Sequence, residues 1–128
     1  MYFNVLGEPD QSLVDKMSSS GTNTDGWRMI YQGDYKQFWF CFGGGPGVNG
    51  CISGSSTTVT SITNLQPQGW YHVTGVKTSS QISIYLNGTL ENTTQLGLVT
   101  DSNTTDLLCG ATAIRGVRRP GLMDLLMK

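Results

Sequence analysis

Ionisable chemistry is scarce in this chain. Only 13% of its 128 residues are charged, histidine occurs once (His72), and glutamate occurs twice, at the widely separated Glu8 and Glu91. Hydrolysis of a glycosidic bond needs two carboxylates flanking the scissile bond, and no strand-like run here carries two alternating acidic residues. A Ser-His-Asp or Cys-His mechanism would have to run through His72. That residue sits mid-strand between Tyr71 and Val73, the setting of a hydrogen-bonded structural histidine. No catalytic residues are therefore assigned, and the chain is expected not to be an enzyme. Zinc-type Cys and His spacings are missing as well. Gly43-Gly44-Gly45-Pro46-Gly47 is followed by neither the Lys-Ser or Lys-Thr nor the helix of a phosphate loop. A net charge of -1 without like-charge runs argues against nucleic acid. No apolar run approaches the roughly 18 residues that span a bilayer, so no membrane insertion is expected. Met1 to Asn4 lacks the basic and apolar regions of a signal peptide, so an export signal is expected outside this segment.

Helical periodicity is equally thin: residues 10–16 could form one turn, and nothing sustains the i, i+3, i+4, i+7 spacing. Strand-like runs are frequent instead, at 2–5, 13–16, 27–32, 37–42, 57–62, 70–77, 81–86, 89–93, 106–109 and 122–127. Short runs of this spacing, separated by Gly, Ser and Asn clusters, predict a single all-β domain built as a two-sheet antiparallel sandwich. The clearest segment is Trp70 to Leu90. Its two runs are joined by Thr78-Ser79-Ser80, and the second stops at Asn87-Gly88, the dipeptide best suited to positive φ at both corners of a type I′ hairpin. In Ile82-Ser83-Ile84-Tyr85-Leu86 the aliphatic side chains alternate with Ser83 and Tyr85, so one face is buried and the other meets solvent or ligand.

Trp70-Tyr71-His72-Val73, followed by Ile84-Tyr85-Leu86-Asn87-Gly88, resembles the signature of laminin-G-like, concanavalin A-like jelly-roll domains. Leu13 to Lys16 and Asp25 to Ile30 resemble the early strands of that family. Cys109-Gly110, the basic stretch Arg115 to Arg119, and Pro120 to Asp124 resemble its closing segment. The likeness spans residues 1–128 as one domain. It implies a jelly-roll sandwich whose activity is non-catalytic carbohydrate recognition at a rim or concave face. Family members begin with an additional strand, so the chain is expected to be a fragment of a longer protein or a short member, with an edge near Leu122 to Met127 open to self-association.

Candidate binding residues follow from side-chain chemistry. In Gln37-Phe38-Trp39-Phe40-Cys41-Phe42 the phenylalanines share one face and Trp39 and Cys41 the other. Such a strand is either buried on both sides or lines a groove where sugars stack on rings. Tyr35 and Trp39 are the stacking candidates, with Asp25 as a polar partner. Asp101, Asn103 and Asp106 concentrate the hard oxygens that calcium takes; a solvated turn explains them equally well. Cys41 and Cys51 flank a glycine-rich loop that could bring them within disulfide reach, leaving Cys109 over; the alternative is three small buried hydrophobes. A bridge would suit an extracellular or cell-surface location. Arg115, Arg118 and Arg119 either contact an acidic group or form a solvated rim. Asn87, Asn92 and Asn103 each head an Asn-X-Thr glycosylation sequon. The alternatives to a glycan-binding module are an adhesion module that binds a cell-surface or matrix protein, and an accessory domain of a glycosidase or sialidase.

Overall fold

Alternation of apolar and polar side chains sets most of the strands. The computed structural model describes residues 2–4, 10–20, 23–46, 51, 52, 54–97, 99, 107–109, 112–114 and 117–119. In chain order the strands are β1 (Tyr2–Asn4), β2 (Gln11–Asp15), β3 (Ser18–Ser20), β4 (Asn23–Asp25), β5 (Trp27–Gln32), β6 (Gln37–Phe42), β7 (Gly45–Pro46), β8 (Thr58–Thr60), β9 (Trp70–Lys77), β10 (Gln81–Leu86), β11 (Thr89–Gln95), β12 (Leu108–Cys109), β13 (Thr112–Ile114) and β14 (Val117–Arg119). A 3-10 turn at Gly33–Tyr35 is the helical element among the described residues. Within residues 10–16, where one helical turn was conceivable and a strand was expected at 13–16, Gln11–Asp15 form β2, because pairing with β5 satisfies their backbone in an extended register.

Of the two main sheets, one has the order β12-β2-β5-β6-β8 and the other β1-β9-β10-β11; β3-β4-β7 and β13-β14 form two small sheets, and every neighbouring pair is antiparallel. Phe38, Phe40 and Phe42 from the first meet Val73, Ile82, Ile84 and Leu86 from the second in one buried cluster. Phe38 stands edge-on to Tyr71 across the layers, ring centroids 6.2 Å apart. Burying each such ring stabilises the sandwich by roughly 1.5–3 kcal/mol. The sheets approach so closely at Gly75 that a Cβ there would lie 2.6 Å from the Phe40 ring. An open apolar groove of about 380 Å³, lined by Trp27, Met29, Phe40, Phe42, Gly75 and Lys77, lies beside that contact.

The β10–β11 hairpin turns through Asn87 and Gly88 with φ of 49° and 82°, as Asn-Gly predicts for a type I′ corner. A register shift then pairs Ile84 with Asn92 but Tyr85 with Leu90, leaving Glu91 as the extra residue of a β-bulge. The bulge has a purpose in the packing. The Glu91 carboxylate accepts the N–H groups of Ile62 and Thr63 at 3.0 and 2.8 Å, and Asn92 Nδ2 donates to the Thr60 carbonyl at 3.1 Å. These bonds clasp one open side of the sandwich. The sequence expectation of a strand at 122–127 lies outside the described residues.

Candidate functional site

Strand β6 is central, with β5 on one side and β8 on the other, and its two faces do different work. The three phenylalanines point into the core, whereas Trp39 and Cys41 point outward yet are only 6% and 0% exposed. Of the two explanations for an all-apolar strand, burial on both faces is the one observed. Cys41 and Cys51 are joined in a disulfide with Cα atoms 5.1 Å apart, and Cys51 takes φ of 65° to make the return. Cys109 is a free, exposed thiol on edge strand β12.

Cross-strand register arranges the outward side chains of this sheet in two lateral rows. Ser12, Ile30, Trp39 and Thr60 lie opposite one another across β2, β5, β6 and β8. Asp15, Arg28, Cys41 and Thr58 form the next row. Arg28 Nη2 lies 3.3 Å from Asp15 Oδ2, and Asp15 Oδ1 also accepts the Met17 N–H at 2.8 Å. Three side-chain atoms of these rows, Ser12 Oγ, Arg28 Nε and Trp39 Nε1, are buried without a hydrogen-bond partner. Each such orphan costs about 1–3 kcal/mol relative to a satisfied group.

Tyr35 is brought to this face by the 3-10 turn that follows β5. The Asp10 carboxylate fixes the turn, accepting the Gly33 N–H and the Gln32 side-chain amide, both at 2.9 Å. Lys36, in the left-handed region at φ 53°, ends it and donates its N–H to the Gly33 carbonyl. The Tyr35 ring is 55% exposed and rests against Trp39, centroids 5.4 Å apart and planes inclined by 42°. Trp39 therefore presents no open stacking face of its own. It is the buried backing of Tyr35, the exposed ring of the pair.

A family model described as the concanavalin A-like lectin/glucanases superfamily, of laminin-G type, matches residues 1–127. The chain belongs to this superfamily. Comparison with the curated proteins and with the solved structures found no match. Membership supports a carbohydrate-binding or structural module, and laminin-G-like domains are usually non-catalytic.

The remaining candidates fall elsewhere in this laminin-G-like domain. Asp25 ends β4, beside Trp27, which pairs with Phe42 at the far end of β5 from Tyr35. Five residues separate Asp25 from Ile30, on the order of 15 Å of strand rise, so Asp25 is not gathered with the two rings. Asp101, Asn103, Asp106 and Arg115 lie outside the described residues, and Arg118 and Arg119 fall on β14. Among the described residues, no three His, Cys, Asp or Glu side chains group as metal ligands. Ser12 and Arg28 were not candidates from sequence, because their membership of the Trp39 neighbourhood depends on strand register. Trp70, 57% exposed on the outward face of the four-stranded sheet, was also missed; its alternation with the inward Tyr71 and Val73 was the available signal.

Proposed function

We propose that this domain is a non-catalytic recognition module that binds carbohydrate on the outward face of its five-stranded sheet, at Tyr35. The supporting observation is the exposed Tyr35 ring held against a buried Trp39, beside a row of side chains with unspent donors. Sugars dock by laying C–H faces on such rings while a few polar groups fix their orientation. The Asp10-bound turn pre-sets the position of Tyr35, which lowers the ordering cost of binding. A glycan array probed with the domain and with Tyr35→Ala tests this. Binding abolished by the substitution, with the melting temperature kept, is the expected result. Absence of binding to any glycan, with and without calcium, defeats the proposal.

One observation favours a second reading, a protein-binding module. Trp70, Val76 and Leu90 stand exposed on β9 and β11, and exposed apolar side chains of this kind mark protein contacts when they are contiguous. Self-association that persists in EDTA and free sugar, and that Trp70→Ala removes, would establish it.

A further inference from the structure

The three Asn-X-Thr sequons differ in what folding leaves them. Asn92 is fully engaged: its Nδ2 donates to the Thr60 carbonyl at 3.1 Å and its Oδ1 accepts the Thr93 N–H at 2.9 Å, inside the clasp that joins β11 to β8. Asn103 lies outside the described residues. Asn87 is exposed at the hairpin corner, where its N–H donates to the His72 carbonyl at 2.7 Å and its Oδ1 accepts the His72 N–H at 2.9 Å. Both bonds spare Nδ2, the atom that carries a glycan, and it has no hydrogen-bond partner among the described residues. Thr89, whose hydroxyl completes the sequon, is exposed as well. Asn87 continues the ladder opposite His72, one step past the Leu86–Val73 pair, so Tyr85, two residues back, lies on the same face of the ribbon. That face is the outward one, since Ile84 and Leu86 are buried in the core. Tyr85 is half-buried there, and Leu90, directly across from it on β11, is 52% exposed.

We propose that Asn87 carries an N-linked glycan whose first sugar lies with its C–H face against Tyr85 and Leu90. The donor is a lipid diphosphate-linked oligosaccharide. Asn87 Nδ2 forms the bond to the anomeric carbon, the bond from that carbon to the diphosphate oxygen breaks, the diphosphate leaves with the electron pair, and the amide proton passes to the transferase's base. Oδ1 keeps its bond to the His72 N–H, so the hairpin corner survives the modification. The same group on Asn92 forces a sugar between β11 and the Thr60 carbonyl, and a chain modified there cannot close its clasp. The Cys41–Cys51 disulfide suits the oxidising compartments in which secreted chains meet such a donor. A sugar over Leu90 also removes exposed apolar area from the four-stranded sheet.

The test is secretion of the whole domain behind a supplied signal peptide from a eukaryotic cell line, followed by glycopeptide mass spectrometry of the folded product. Asn87 is expected to be occupied and Asn92 bare. Thr89→Ala removes the sequon while keeping Asn87 in its corner, and so supplies the reference without this glycan. With both proteins trimmed enzymatically to one sugar per site, the parent is expected to melt about 2–5 °C higher, the scale of one ring contact in a domain of this size. The intrinsic effect of Thr89→Ala is subtracted with bacterially made, unglycosylated protein. Tyr85→Ser, introduced into both, is expected to erase the difference. Asn92 occupied in folded protein overturns the inference, and so does a difference that survives Tyr85→Ser. Material retained in the cells is read in the same way, and Asn87 bare in both pools also overturns it.

Discussion

The outward faces of the two sheets solve the same problem in opposite ways. On the four-stranded sheet, polar side chains find each other: Ser83 and Thr93, opposite one another on β10 and β11, are hydrogen-bonded at 3.0 Å. That face leaves large apolar groups such as Trp70 at the surface. On the five-stranded sheet the apolar Trp39 and Cys41 are covered, the disulfide ties the following loop back, and donors are left unmatched. A face whose hydrogen bonds close internally gains little polar energy from a ligand, whereas one with buried orphan donors gains what folding left unmade.

This contrast can be broken at several levels. Phe40→Ala, on the core side shared by both sheets, is expected to cost about 3–5 kcal/mol by removing a buried ring beside the open groove it lines; chemical denaturation reads it. The Cys41→Ser, Cys51→Ser pair frees only the five-stranded face and is expected to cost about 3 kcal/mol, the chain entropy of a short loop, seen as a lower melting temperature that reductant reproduces in the parent. Ser83→Ala removes the hydrogen bond between the buried Ser83 and the exposed Thr93 and should cost about 1 kcal/mol, unlike the same change at Ser12. A loss at Ser83 no larger than at Ser12 would mean that the two faces do not differ in polar bookkeeping. Trp70→Ala, on an exposed position, should move stability by less than about 0.5 kcal/mol; a larger loss by denaturant titration would show that Trp70 packs.

Much of the fold could be read from the chain alone. The Asn87-Gly88 corner, the alternation in Ile82 to Leu86 and the phenylalanine face of β6 each depend on contacts within a few residues. Strands β3, β4, β7, β13 and β14 escaped notice because their side chains, such as Ser18-Ser19-Ser20, show no alternation of apolar and polar. Register was illegible for a different reason. A bulge between Ser12 and Val14 sets which β2 side chains meet β5, and a one-residue slip would send every one of them to the other face.

Local chemistry thus determined that this chain is a β sandwich with one turn fixed at Asn87-Gly88 and an aromatic strand at its centre, because φ preferences and side-chain alternation act between near neighbours. Only the tertiary structure decided that Trp39 is the backing and Tyr35 the face, that Asp25 stands apart, and that Ser12 and Trp39 share one row with Arg28 in the next. Those relations join residues up to 27 positions apart through pairing and bulges, whose energies belong to the packed sheets and to no single segment.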